Sequence, residues 1–312
     1  MAVPTNTFET YDSVGIREDL LDIITNISPT ETPFQTMASQ GTSKGTFHEW
    51  QVDSLEAATD NKAVEGDDAS NEARTPTVRV GNYTQIAEKT IQVTGSDEAA
   101  DNAGRGQEMA YQIAKAGLEL KRDQEVTVVG TNKGRAAGSS GTARELGSVL
   151  SWIKTNVNKA GDGVDPAGNG TDARTDGTPR AFLESMLTDV IDKTWVSGGN
   201  PSVIMCNSTQ KRAITDFTGN ATKYKNVDDK KIVNAVDIYE GDYGTLSVVP
   251  NRFMRQSDVF LFEPDMWSID YYRSYMTHDL AKTGDSVRKQ MLCEYTLCSK
   301  QEAANGGIFD LS

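Results

Sequence analysis

Only two histidines, His48 and His278, stand in the chain, so nucleophile–base triads and multi-histidine metal sites have few ways to form. Asp279 follows His278, but neighbours in an extended stretch point to opposite faces, and no Gly-x-Ser-x-Gly elbow offers a nucleophile. His48, in a strand-like run, fares no better. Of the three cysteines, Cys293 and Cys298 lie five apart in a predicted strand, on opposite faces, and no second Cys or His pair completes a tetrahedral zinc set. Cys206 and Cys293 read as small buried hydrophobes. GTNKGRAAGSSGTAR at 130–144 has the glycines and basic residues of a phosphate loop but not its Gly-Lys-Ser/Thr ending, which leaves a flexible surface loop. Asp162, Asp165, Asn169 and Asp172 could offer oxygens to calcium, yet their spacing departs from the EF-hand loop and no closing Glu follows. Glu65, Asp67 and Asp68 read as a charged hairpin tip. The expectation is no catalytic residue, no cofactor and no metal.

Composition points the same way. At 312 residues the chain suits one large or two ordinary domains and folds without covalent staples. An odd number of scattered cysteines argues for a reducing compartment. MAVPTNTFETYDSVG lacks a basic start and an apolar run, and no stretch is apolar enough to span a bilayer, so a cytosolic, membrane-free protein is expected. In that setting the Asn82-Tyr83-Thr84 triplet is a chance glycosylation match. A net charge of -14 without a basic block excludes a tight, specific nucleic-acid reader. It suits a container wall, which must hold a polyanion loosely while its free subunits repel one another.

A chain without a reaction centre must act through its surfaces, which its elements have to present. Residues 1–44 read as an arm: Ile16, Leu20, Ile23, Ile24 and Ile27 recur at helical spacing, then Ser28-Pro29 and Thr32-Pro33 force extended backbone. Thr46 to Val52, with His48, Trp50 and Val52 to one side, and Thr77 to Thr94 read as strands around the polar stretch Asp53 to Pro76. They predict a long projecting hairpin. A two-stranded ribbon is marginal alone in water, so a partner must hold it, most simply another copy.

Ser96, with Asp97 and Glu98, predicts the start of a long helix reaching about Val129, with Met109, Ile113, Ala116 and Leu120 inward and Gly130 as its stop. Gly104, Gly106 and Gly117 each weaken it by about 1 kcal/mol relative to Ala. The apolar segment Leu146 to Ile153 lies between Gly-rich loops at 131–142 and 158–178. Beyond these, Thr178 and Pro179 predict a helix start, with a stripe through Phe182, Leu183, Met186, Leu187, Val190 and Ile191 and a stop at Gly198-Gly199. Strand Ser202 to Cys206 and a helix capped by Ser208 and running to Phe217 complete an α/β lobe. The last third is strand-like: Thr245 to Val249, Val259 to Phe262, Trp267 to Tyr272 and Val287 to Leu297. In the last of these Val287, Met291, Cys293, Tyr295 and Leu297 face inward, while Arg288, Gln290, Glu294 and Thr296 face outward, with Lys289 and Leu292 breaking the pattern. Both ends of the chain then build one α+β body with the lobe inserted between them.

This order of parts resembles the Hong Kong 97 type of tailed-phage capsid fold. More narrowly, the chain is similar to the SU10-like major capsid protein family. The resemblance is carried by GIREDLLDIITNISPTETPF (15–34), TDVIDKTWVSGGNPSVIMCNSTQKRAITDF (188–217), YEGDYGTLSVVPNRFM (239–254) and DLAKTGDSVRKQMLCEYTLCSKQEAANGGIFDL (279–311). It departs from the family at Lys300-Gln301-Glu302 and in an expanded 158–178 loop. The resemblance implies an N-arm at 1–44, an extended β-hairpin loop at 45–95 lying over a neighbour, a spine helix and following loop at 96–145, an inserted axial domain at 146–250, and closing strands of the peripheral domain at 251–312. It also implies self-assembly into hexamers and pentamers of an icosahedral shell around double-stranded DNA contacted non-specifically. Scaffold, cement or portal partners would join the host-cytoplasmic assembly. Phe34 on the arm and Trp50, Arg79 and Tyr83 on the hairpin are the expected inter-subunit contacts, because exposed aromatics and arginines dominate interface energetics; packing within the chain is the alternative for each. Two rival readings are an encapsulin-like nanocompartment shell and a calcium-binding module or enzyme using the 158–178 loop.

Overall fold

The computed structural model describes residues 28–66, 68, 71, 73–100, 102, 106–217 and 238–312. The amphipathic stretch Gly15 to Ile27 and residues Asp67 and Gly104 lie outside the described residues. One sheet joins β1 (Ser39–Thr42), β10 (Trp267–Asp279), β11 (Ser286–Ser299) and β4 (Gln85–Thr94) in that order, with β1 parallel to β10 and the other pairs antiparallel. A six-stranded sheet follows the order β5 (Asn156–Asn158), β12 (Gly306–Ile308), β9 (Val259–Phe262), β6 (Val203–Cys206), β8 (Gly244–Pro250) and β7 (Ile238–Gly241). A separate antiparallel ribbon pairs β2 (Phe47–Val52) with β3 (Val78–Tyr83). The helices are α1 (Pro33–Met37), α2 (Gly95–Glu98), α3 (Glu108–Glu125), α4 (Glu184–Val196) and α5 (Ser208–Thr215).

Alternation along two central strands divides the interior. Phe260, Phe262 and Met205 turn toward the first sheet, joining Trp267, Tyr295, Leu297 and the buried segment Leu146 to Ile153. Val259, Leu261, Ile204 and Cys206 turn the other way, against Leu187, Val190, Ile191 and Ile214 of α4 and α5. The unbroken apolar run of β9 is what burial on both faces requires.

Several expectations change on contact with this architecture. The end of the arm is not free, because β1 is an edge strand of the body and the Phe34 ring lies fully buried against Phe262 and Trp267, at centroid distances of 5.4 and 6.0 Å. Its backbone is fixed by a buried carboxylate: Glu125 accepts from Phe34 N at 2.8 Å, Gln35 N at 3.2 Å and Asn251 Nδ2 at 2.7 Å. Burial still pushes the Glu125 carboxyl above its ordinary range, and those donors only partly offset it. The long helix expected from Ser96 is two helices, and Thr94 rather than Ser96 caps the first, accepting from Asp97 N. Of the inward stripe, Met109, Ala116 and Leu120 are buried as expected, whereas Ile113 is only half-buried. A π-helical turn, Val126–Gly130, ends this segment, and Gly130 is needed for close approach, since a Cβ there would lie 2.3 Å from Phe253 O.

The lobe also departs from the expected boundaries. β9 and β12, expected among the peripheral closing strands, pair inside the six-stranded sheet, and Leu146 to Ile153 sits in the core shared by both sheets. Helix α4 starts at Glu184 rather than Pro179, because residue 180 is spent on the C-terminal segment: Arg180 N donates to Asp310 O and Ser312 N donates to Arg180 O. Its predicted stripe residue Leu183 is consequently exposed. Near this junction Arg174, fully buried, binds Asp310 at 2.8 Å and Asp165 at 3.0 Å, its guanidinium 4.1 Å from the Phe309 ring centroid. Asp258 is also fully buried; its Oδ2 accepts no hydrogen bond and lies 3.5 Å from Arg255 Nε.

Truncating Phe34 to Ala should cost about 3–5 kcal/mol of unfolding free energy in urea denaturation, as removal of a core aromatic does. Asp258 gives a pH signature. Burial, countered in part by Arg255, pushes its carboxyl from 3.8 to about 6, so its contribution to stability is full below the lower value and lost as pH rises through the upper one. That gap corresponds to about 3 kcal/mol. Asn stays neutral throughout, so the melting temperature of Asp258→Asn relative to the parent should climb between pH 4 and pH 7 by scanning calorimetry.

Candidate assembly surface

The ribbon is six residues long on each side, with Phe47 opposite Tyr83 and Val52 opposite Val78. It is shorter than the predicted hairpin, because the chain changes partner at Thr84: β3 pairs with β2, whereas β4 pairs with β11 of the body. Beyond the paired part, every described residue from Asp53 to Thr77 is exposed, including Leu55 at 97% and Val64 at 75%, and so are Val78 and Arg79 at the outer end of β3.

The root is the opposite. Asn82, fully buried, donates through Nδ2 to Gly147 O at 3.2 Å and Leu297 O at 2.9 Å, while its Oδ1 accepts from Gly147 N at 2.8 Å and Tyr83 N at 3.0 Å. Thr84 Oγ1 donates to Glu294 Oε1 at 2.6 Å, and Glu294, itself buried, pairs with Arg144 at 2.6 Å and Arg273 at 2.8 Å. Arg135 donates to Gly81 O and lies 5.1 Å from the Phe47 ring centroid. The face of β11 expected to meet water is therefore covered: Glu294 binds Thr84, and Thr296 Oγ1 donates to Tyr83 O at 3.0 Å.

The four expected contact residues separate accordingly. Phe34 belongs to the core and has no surface to offer. Trp50 is half-buried; its Nε1 donates to Ser299 O at 2.7 Å and its ring lies 5.3 Å from Trp152, so it binds the ribbon to its own body. Tyr83 is half-buried beside Phe47 at 4.6 Å. Arg79, with 71% of its side chain exposed and paired to Glu49 at 3.0 Å, remains available at the surface. Asn82 and Glu294, which carry the root, were missed; the available signal was an Asn inside a strand run, a position this residue avoids unless its side chain is satisfied. Sequence reasoning also missed Trp195, Val196 and Tyr243 on the lobe, exposed at 56%, 71% and 41%, with the two rings stacked at 5.0 Å.

The candidate chemistry disperses. His278 and Asp279 are both exposed, and Asp279 pairs with Lys289 across the strand at 3.2 Å. Asp162 holds Thr178, which depresses its carboxyl below the usual range; Asp165 binds Lys159 and Arg174, and Asp172 accepts from Ala167 N. Among the described residues these loop acids do not gather into a cation-sized group. Burial pushes the Cys206 and Cys298 thiols to about 12 and the Cys293 thiol to about 11, so all three stay protonated at neutral pH.

The SU10 major capsid protein family model matches residues 3–312. The chain belongs to that family. A relative, the major capsid protein of Escherichia phage Phieco32, is 26% identical over 345 aligned residues, covering 99% of this chain and 98% of that one. Among solved structures, the cyanophage A-1(L) capsid asymmetric unit superposes with a TM-score of 0.70 at 11% identity, covering 97% of this chain and 98% of that one. The capsid of a native GTA particle gives 0.67 at 11% identity, with the same coverage. At such identity the likeness shows a shared capsid fold. The neighbours' mixed α and β content matches that of this body, and no helix among the described residues is long and apolar enough to cross a membrane.

Asn82→Ala should lower the unfolding free energy by about 3 kcal/mol, because several buried partners lose their bonds at once, whereas Arg79→Ala should change it by less than about 0.5 kcal/mol; urea denaturation of the two variants measures the contrast.

Proposed function

We infer that the chain is the major capsid protein of a tailed bacteriophage, a non-catalytic subunit whose copies form the hexamers and pentamers of an icosahedral shell enclosing double-stranded DNA. The family match along almost the whole chain carries this reading. The physical support is the contrast between a ribbon fixed at its root by Asn82 and Trp50 and a span from Asp53 to Arg79 left in water.

In this reading the exposed span lies over a neighbouring copy, with Arg79 and the apolar side chains Leu55 and Val64 buried on assembly. Trp195, Val196 and Tyr243 give the lobe a second contact with another copy, aromatic in character as interface anchors are. Each contact is modest; closure of the shell makes several act together on every subunit. The charge of -14 keeps the wall from gripping the packaged phosphate backbone, so DNA is contacted loosely and without sequence preference. Scaffold, cement or portal proteins complete the particle, which assembles in the host cytoplasm before residing in the virion.

Deleting residues 55–74 tests the reading. The shortened chain should keep the circular dichroism and melting temperature of the parent but form no closed particles by negative-stain electron microscopy. Normal shells from the deletion would contradict it.

A further inference from the structure

A mixed set of metal-ligand side chains stands outside the assembly role. His48 of β2, Asp270 of β10 and Cys298 of β11 meet where the ribbon leaves the body, each offering one ligand atom, all within 4.8 Å of one another. Asp270 and Cys298 come from the paired strands β10 and β11, but His48 comes from β2, far away in sequence, which is why no spacing motif exposes the three. His48 Nε2 lies 2.9 Å from Asp270 Oδ2. Asp270 and Cys298 are buried, while His48 is 23% exposed and leaves one side of the cluster open. Gly41 stands opposite Asp270 in the register, and a Cβ there would lie 2.1 Å from Asp270 Oδ1; the glycine is what lets the carboxylate lie there.

We propose that His48, Asp270 and Cys298 form a binding site for a zinc-type divalent cation that staples the root of the ribbon to the four-stranded sheet. Imidazole, carboxylate and thiolate are the donors zinc takes, and three protein ligands leave a fourth position for water on the open His48 side. With tetrahedral bonds of about 2.0–2.3 Å, ligand atoms stand about 3.3–3.8 Å apart. The triad therefore needs its widest pair to draw in by about 1 Å and the imidazole and carboxylate to open slightly, which side-chain rotation supplies. Calcium and magnesium are poorly served by one carboxylate among softer donors. The cation displaces the thiol proton, and any proton shared by His48 and Asp270, to solvent; no electron moves. Without the cation the His48–Asp270 contact joins ribbon to β10, and with it β11 is tied to the same point.

The test uses the full-length chain, stripped of metal by a chelator and titrated with Co²⁺ as a spectroscopic stand-in, then with Zn²⁺. One Co²⁺ per chain should give an intense thiolate-to-metal charge-transfer band that Zn²⁺ bleaches. Cys298→Ser should abolish the band, and His48→Gln should weaken Co²⁺ affinity at least about tenfold. Zn²⁺ should raise the melting temperature of the parent and leave that of Cys298→Ser unchanged. No band in the parent, or an equal band in Cys298→Ser, overturns the proposal. Should Cys298→Ser fail to fold by circular dichroism, His48→Gln decides, and unchanged affinity in that variant also overturns it. The measurements are made on unassembled chains, so they stand apart from the shell reading.

Discussion

A pair of antiparallel strands cannot bury enough apolar surface to stand alone in water, and this limit governs the molecule. The ribbon of β2 and β3 meets it at one end only. At the root, Asn82 satisfies all its polar atoms inside the body, Trp50 stacks on Trp152, and Glu294 gathers Thr84, Arg144 and Arg273 around one buried carboxylate. Glu294 is sound because it is fully paired; removing any one partner would leave charge in a dry site. Past Val80 nothing comparable exists within the described chain, and the described residues from Asp53 to Arg79 are exposed.

The division of the core ties the two sheets and the helices together. β9 and β6 are shared walls, with aromatic residues on one face locking the first sheet and aliphatic residues on the other seating α4 and α5. Phe34 extends the same wall to the end of the arm. From Phe34 onward the chain is therefore an edge of the body.

Much of this was legible in the sequence, and the misses share a cause. Strand β2 and the inward face of β11 from Cys293 to Leu297 follow from period-two patterning, β6 and β9 from short apolar runs, and most of the buried stripe of α3 from helical spacing, whereas Val287 of β11, expected inward, is exposed. What failed was partner choice. Nothing local distinguishes Val78 to Tyr83 from Gln85 to Thr94, yet one pairs with the ribbon and the other with β11, the switch being set by Thr84 contacts to Thr46 and Glu294 across 38 and 210 residues. Likewise Thr178-Pro179 carries good helix-start chemistry, but residue 180 is claimed by the C-terminal segment, a tertiary demand that overrides propensity. His48 and Cys298 read singly as ordinary residues, and Asp270 carries no signal at all, for the same reason: their meeting depends on the fold, not on spacing.

The account turns on where the exposed span acquires its order, and amide hydrogen exchange on free chains and on assembled shells measures that directly. Amides of residues 53–77 should exchange freely in the free chain and slow sharply in shells, while those of residues 80–94 stay protected in both. Protection of 53–77 in the free chain, or equally fast exchange once shells have formed, would contradict it.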